Sequence, residues 1–368
     1  MASRARARLQ AAPRLARSWL ESRFRRRFPA DPQRILIAHH LLLGDTLMLA
    51  PLLKKLRTLY PRAEIVMATP KAAVPLFAGQ PYGVRALPYD PRDPGSVDAL
   101  AAERGFDLAL IPGDNRYSWL AYALGARYIV AHAGDRPAYK SWPVDRKVAY
   151  RSEPAPWFDM VCDLVPGPAP TPYRTDEWPV PPCLPFARPT GDYAVLHLGA
   201  SSTLKLWPAE RWRELALRLE RHGIQPVWSA GPKETALVDA VDPGGIYPSF
   251  AGQLDLAQMW HLLAGSRLLV CPDTGVAHIG KLTGTPTVTL FGPGSASLYG
   301  AGEFWAAMPY RALTVDPFEC RDQRQLFKRD IAWVRRCSRT TAQCQVPRCM
   351  LALSLDRVWQ TCSELLHR

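Results

Sequence analysis

The feature that most constrains this chain is a repeated alternation. RILIAHH (34–40), AEIVMAT (63–69) and DLALIPG (107–113) are short apolar runs, and helix-patterned stretches such as TLMLAPLLKKLRTLY (46–60) stand between them. Runs that stay apolar residue after residue fit strands buried on both faces, so the alternation predicts βαβ units and a parallel sheet covered by helices. A proline-rich passage, VPGPAPTPYRTDEWPVPPCLPFARPTGD, ends at Asp192 and breaks all periodicity. The alternation then restarts with YAVLHLGA, PAERWRELALRLERHG, IQPVWSAG, DLAQMWHLLAG, RLLVCP and PTVTLFG. The expected fold is α/β, with two Rossmann-like domains facing across a cleft and ligands held at the carboxyl ends of their strands.

These breaks set the expected boundaries: a basic amphipathic arm over 1–33, an acceptor domain over 34–165, a linker over 166–192, and a nucleotide-sugar domain over 193–315. A cysteine-containing segment (316–349) and a C-terminal helix (350–368) that crosses back complete the chain. A length of 368 residues suits two domains, and 48% hydrophobic residues supply both cores. The formal charge of +13 points to acidic partners, whether nucleic acid, anionic membrane or phosphorylated substrate. Base-stacking aromatics set among basic residues, or a known nucleic-acid motif, are not seen, so no nucleic acid is expected. No apolar run approaches the roughly 20 residues that span a bilayer, and no signal-type start is visible. The chain is expected to be neither secreted nor transmembrane.

The start, MASRARARLQAAPRLARSWLESRFRRRF, has many arginines and one acid, Glu21. Leu15, Trp19 or Leu20, Phe24 and Phe28 recur at helical spacing, which gives an apolar stripe on a basic helix. Such a helix can lie on an anionic bilayer. The same composition also fits a solvated arm or a mitochondrial-type presequence.

Four loops at strand ends carry candidate chemistry. In CPDTGVAHIGKLTGTPTVTLFGP (271–293) a strand runs into a tight turn and a helix. There Asp273 or Thr274 can cap the helix, Gly275 lets a ligand approach the backbone, and the free N–H groups with the helix dipole make an anion site. His278 stands about one turn in, either near the same mouth or as an ordinary structural histidine. HHLLLGDTLMLAP places Gly44 and Asp45 after the first strand, where Asp45 could be only an N-cap. HLGASSTLKLWPAERW carries Ser201, Ser202 and Lys205, a lysine that can neutralise a diphosphate or simply face solvent. SAGPKETALV puts Glu234 at a helix start, to accept from ribose hydroxyls or to favour the dipole.

Together and in this order, LLLGDTLMLAPLLKKLRTLYP, GASSTLKLWPAERWRELA and CPDTGVAHIGKLTGTPTVTLFGP resemble glycosyltransferase family nine, the ADP-heptose:lipopolysaccharide heptosyltransferases. The resemblance covers most of residues 34 to 300. It implies a GT-B architecture and an inverting transfer of heptose from ADP-heptose to a hydroxyl of the lipopolysaccharide inner core, with no metal required for the chemistry. It gives Asp45 as the general base and Lys205 as the lysine neutralising the diphosphate. Asp273, Thr274, Gly275 and His278 match the nucleotide-sugar turn, Glu234 the ribose contact, and Gly44, Ser201 and Ser202 fall in the same binding loops. Inversion needs one base opposite the leaving group, and a departing diphosphate without metal needs positive charge and N–H donors.

Before Gly44 stands HHLLL, where many relatives carry arginine or serine, so the acceptor side is expected to differ. The donor is ADP-heptose or another nucleotide sugar, and the acceptor a Kdo-lipid A core, a later heptose, or a protein as in the relatives that glycosylate autotransporters. A different reading is a noncatalytic nucleotide-sugar-binding module, which would be expected to lack Asp45. The implied location is cytoplasmic, peripheral at the inner face of the bacterial inner membrane.

Cys320, Cys337, Cys344 and Cys349 fall within thirty residues in a charge-rich, core-poor segment. In a reducing compartment such a cluster suggests thiolate ligation of structural zinc or iron, although no C-x-x-C pair is present. Cys162, Cys183, Cys271 and Cys362 are scattered and read as ordinary buried thiols.

Overall fold

The apolar runs become the first sheet. Strands β1 (Arg34–Ile37), β2 (Glu64–Thr69), β3 (Val84–Pro88), β4 (Leu108–Ile111), β5 (Tyr128–His132) and β6 (Arg146–Val148) lie in the order β3-β2-β1-β4-β5-β6. Every neighbouring pair is parallel. Ile35, Leu36 and Ile37 of β1 and all four residues of β4 are buried, which is why these strands show no polar alternation. Helices α1 (Leu43–Leu47), α2 (Ala50–Leu59), α3 (Pro94–Ala102), α4 (Ser118–Ala123) and α5 (Trp157–Val161) complete this layer. Pro51 sits in the first turn of α2, where its missing N–H costs nothing.

The second sheet repeats the pattern. Strands β7 (Tyr193–His197), β8 (Gln225–Ser229), β9 (Leu268–Pro272), β10 (Thr287–Phe291) and β11 (Tyr310–Thr314) run parallel in the order β11-β10-β9-β7-β8. Around them are α6 (Ala209–Arg221), α7 (Thr235–Val241), α8 (Leu256–Ala264), α9 (Gly275–Thr283), α10 (Ala296–Tyr299), α11 (Arg348–Leu351) and α12 (Leu355–Leu366). α6 follows Pro208 and buries Trp212, Leu215, Ala216 and Leu219, one stripe at i, i+3, i+4 and i+7. α9 ends on Gly284, whose φ of 72° closes the helix in the left-handed conformation.

The computed structural model describes residues 27–367, divided into two units. The first unit runs to Glu153 and adds residues 157–170 and 325–332; the second takes 154–156, 171–324 and 333 onward. The α/β class with two parallel-sheet, Rossmann-like units is therefore as expected. The proline-rich passage is packed chain: Tyr173 and Trp178 are buried, with Tyr173 donating to the Leu282 carbonyl at 2.8 Å and Trp178 stacked near Trp260. The closing helix α12 buries Val358, Thr361, Cys362 and Leu365 within the second unit, against α6, β9 and β10. The piece of C-terminal chain that returns to the first unit is instead a hairpin of β12 (Gln325–Leu326) and β13 (Arg329–Asp330), antiparallel to each other.

Most of the arginine-rich arm lies outside the described residues. Phe28, expected on its apolar stripe, lies outside any helix; its ring meets Tyr128 edge-on at 5.6 Å and Arg146 stands over it. Among the described residues no helix is long and apolar enough to cross a membrane.

Candidate active site

In each sheet the strand order reverses once, between β1 and β4 in the first and between β7 and β9 in the second. At such a point neighbouring loops leave in opposite directions, and a crevice opens at the carboxyl ends of the strands. All the loops singled out from the sequence lie at carboxyl ends of strands in one or other sheet.

In the first unit, β1 leads through His39–His40 to α1. Leu42 occupies the N-cap position without a side-chain cap bond, and Asp45 falls in the first turn, so Asp45 is not the cap. Asp45 and Gly44 are partly exposed. His39 is buried; its Nδ1 accepts from the Leu41 amide at 3.2 Å, and its Nε2 has no hydrogen-bond partner. Burial, with the charge of His40, pushes its pKa down to about 3, so the ring is neutral.

In the second unit, β7 and β9 bring Lys205 and the Asp273–Gly275 turn together. Lys205 Nζ donates to Asp273 Oδ2 at 2.8 Å and to the Asp273 carbonyl at 2.9 Å. The side chains keep 21% and 13% exposure, so the pair is reachable from solvent. Thr274 is the N-cap of α9 and makes no side-chain cap bond, so capping does not account for this turn. The first N–H groups of a nine-residue helix are left facing outward with the dipole behind them. A carboxylate beside a bound diphosphate would repel it; Asp273 is neutralised by Lys205 and fixes where that ammonium stands.

His278 lies one turn into α9, buried, with Nδ1 unpartnered. Burial, then the positive charges of Lys281 and Lys205, hold its pKa well below the ordinary value, so it is neutral. Ser202 Oγ accepts from the Leu204 amide at 3.3 Å and Ser201 is exposed beside it.

Glu234 precedes α7 and its carboxylate accepts from two backbone amides, Ala200 at 3.0 Å and Gly231 at 2.9 Å. It therefore ties the loop after β7 to the loop after β8. Each carboxylate oxygen retains a further lone pair for a ligand hydroxyl.

The sequence reading missed several residues here. A side chain at Gly199 or Gly231 would collide with the Glu234 carboxylate, and one at Gly294 with Asp273. Lys281 is also buried, donating to the Tyr299 and Gly300 carbonyls and lying 4.1 Å from the Tyr310 ring centroid. HLGA, SAG and FGPG were visible as glycine-bearing strand ends, but which carboxylate each glycine accommodates was not.

The four clustered cysteines Cys320, Cys337, Cys344 and Cys349 line one cavity of about 550 Å³ in the second unit, with Leu204 and Pro293 in the wall. Burial raises the Cys320 thiol, and the nearby Cys337 raises it further; Cys349 is raised by burial and then by Cys320. The thiols thus sense one another. Among the described residues, however, no group of three or more His, Cys, Asp or Glu side chains is disposed to hold a metal ion, so the expected tetrahedron is not formed in this arrangement. All eight cysteines are free, and Cys183 is only partly buried.

Compared with known proteins, residues 102–310 match the model of glycosyltransferase family 9 (heptosyltransferase). Lipopolysaccharide heptosyltransferase 1 of Pseudomonas aeruginosa is 36% identical over 120 residues, 31% of this chain and 33% of that one. The enzyme of the same name from Escherichia coli K12 is 32% identical over 112 residues, 30% and 35% of the two chains. The chain thus spans about a third of the length of the curated relatives it matches.

Among solved structures, a family 9 glycosyl transferase from Veillonella parvula superposes with a TM-score of 0.67 at 17% identity, over 94% of this chain and 99% of that one. ADP-heptose lps heptosyltransferase II of E. coli gives 0.66 at 18%, over 91% and 98%. The iron-containing dodecameric glycosyltransferase TibC of enterotoxigenic E. coli gives 0.54 at 16%, over 92% and 77%. These likenesses establish the GT-B fold.

Proposed function

This chain belongs to glycosyltransferase family 9, and from that premise we propose that it is an inverting heptosyltransferase, moving heptose from ADP-heptose to a hydroxyl of a lipopolysaccharide core acceptor. The observation that carries the reading is the Lys205–Asp273 pair set at the uncapped start of α9, a site for a diphosphate leaving group that needs no metal. Asp45 takes the proton of the acceptor hydroxyl as its oxygen bonds to the anomeric carbon. The bond from that carbon to the diphosphate oxygen breaks on the opposite face, inverting the centre, and ADP leaves with the electron pair. Lys205 and the N–H groups at Thr274 and Gly275 meet the charge that develops. Gly44, Ser201, Ser202 and His278 line the binding loops, and Glu234 uses its remaining lone pairs for ribose hydroxyls.

The departure HHLLL before Gly44 keeps a protein acceptor in view. TibC, described as a heptosyltransferase in complex with ADP-D-beta-D-heptose, is similar in fold. We place the protein in the cytoplasm, held at the membrane by its arginine-rich start; deleting residues 1–26 should release it from anionic vesicles without changing ADP-heptose binding.

We also propose that Cys320, Cys337, Cys344 and Cys349 hold a structural zinc or iron. Their shared cavity supports this, and a cation held there would draw its thiols into thiolates. Such an ion would brace the segment beside the loop that carries Leu204 and Lys205.

The test of the donor is a panel of ADP-, UDP-, GDP- and dTDP-sugars, read by protection from thermal unfolding. ADP-heptose should protect most. Greater protection by another nucleotide sugar would reassign the donor, and none by any of them would remove the reading.

A further inference from the structure

The hairpin of β12 and β13 turns on Phe327 and Lys328, both in the left-handed region at φ 46° and 65°. A two-residue turn of this hand is ordinarily built from Asn and Gly, because a side chain is disfavoured there. Phe327 is held in this turn by its contact with Trp157. At its neck, Gln323 and Arg336 exchange backbone hydrogen bonds of 2.9 and 3.1 Å, and the flanking Cys320 and Cys337 line the thiol cavity.

The hairpin belongs to the first unit, where Leu326 and Arg329 are buried, Phe327 is partly buried and Lys328 is exposed. The Phe327 ring lies 4.9 Å from Trp157 by centroids, and a side chain at Gly113 would meet both that ring and Leu41, in the loop leading to Asp45. Arg329 is 3% exposed. It donates through Nε to the Ala133 carbonyl at 2.9 Å, through Nη1 to the Phe327 carbonyl at 3.0 Å, and through Nη2 to Asn115 Oδ1 at 2.6 Å. The same nitrogen stands 3.5 Å from Asp135 Oδ2.

Asp135 in turn accepts from the Asn115 amide at 2.7 Å and from Lys140 Nζ at 3.0 Å, and Lys140 also pairs with Asp114 at 3.0 Å. Arg329, Lys140 and Asp135 meet out of solvent, and Asp114, 21% exposed and also paired with Arg116, stands at the rim of the cluster. The guanidinium stands 5.8 Å from the Tyr150 ring, which stacks on His132 at 4.1 Å. Burial pushes the Tyr150 hydroxyl up to about 12.

We propose that this hairpin shapes the acceptor side of the first unit, with Arg329 as its positioning residue. Arg329 fixes loops 113–115 and 132–135, and Phe327 backs the 41–45 loop through Gly113 and Leu41, so that Asp45 meets the acceptor hydroxyl in one geometry. The idea rests on the reading of Asp45 as the base. A guanidinium is needed because its planar fork reaches the carbonyls of Ala133, Phe327 and His132, an amide oxygen and a carboxylate together; an ammonium carries the same charge from a single point.

The test is Arg329→Lys in the full chain, with Phe327→Leu as a milder second variant should the first fold poorly. ADP-heptose affinity, measured by calorimetry, should stay within about twofold. With Kdo-bearing lipid A as the acceptor probe, KM should rise about tenfold or kcat fall by a similar factor. Hydrogen exchange should quicken in peptides covering 38–48 and 112–116, with peptides over 271–283 unchanged. Unchanged exchange in 38–48 and 112–116, or unchanged acceptor kinetics, overturns the proposal. Wild-type protein that transfers nothing from ADP-heptose would sink the functional reading alone, and the exchange pattern would still decide the positioning role.

Discussion

Lys205 Nζ lies 2.8 Å from Asp273 Oδ2 at the mouth of α9. The acid comes from the strand next to the one whose loop supplies the lysine, so the two loops hold a cation in register with free helix N–H groups. If that cation meets the donor diphosphate, Lys205→Ala should weaken ADP binding about tenfold at low salt. The difference should shrink at high salt, since screening already weakens the contact. An unchanged ADP dissociation constant at low salt would remove Lys205 from the site.

Asp45 stands in the first turn of α1 and is not the helix cap. Asp45→Asn keeps the shape and removes the base. ADP-heptose affinity should change by no more than a few fold while turnover falls by roughly 100-fold or more. Near-normal turnover would require another base.

Lys281 gives a pH dependence of stability. Burial lowers its pKa from 10.5 to about 7, so between these values the unfolded chain holds a proton that the folded chain does not. More protons bound in the unfolded state mean that stability from this residue rises with pH across that window and is level below about 7. Lys281→Met lacks the titration. The melting temperature of the wild type relative to the variant should therefore climb from pH 7 to pH 10, by about 2 °C or more. A constant difference would show that the ammonium stays charged in the fold, held by the Tyr299 and Gly300 carbonyls.

The cysteine site is checked by elemental analysis of protein purified without chelator, which should show close to one zinc or iron per chain. Cys344→Ser should lower metal content and melting temperature together. Metal near zero, with the four thiols titrating freely in native protein, would leave the cavity as a plain gap between loops.

The sequence alone determined the parallel sheets, because a strand buried on both faces must be apolar along its buried length, and ILI after Arg34, LALI and LLVCP are. It also located the turn at Asp273–Gly275 and the loop of Asp45, whose chemistry lies in contiguous residues. Periodicity and short motifs are local properties, and a single chain displays them in full.

What only the tertiary structure decided is which distant polar groups satisfy one another. Glu234 reads as a helix-start acid, yet its carboxylate is bound by amides of Ala200 and Gly231 on two different loops. Lys281 sits in an ordinary helical pattern, and only packing against Tyr310 shows that it is buried. Arg329 reads as one more basic residue in a charged segment, yet it reaches Asn115, 214 positions away, in the interior of the first unit. No spacing in the chain encodes that contact. A buried charge takes the partner that the fold delivers, and the loops meeting at a sheet's carboxyl edge are chosen by strand order, which the linear sequence does not record.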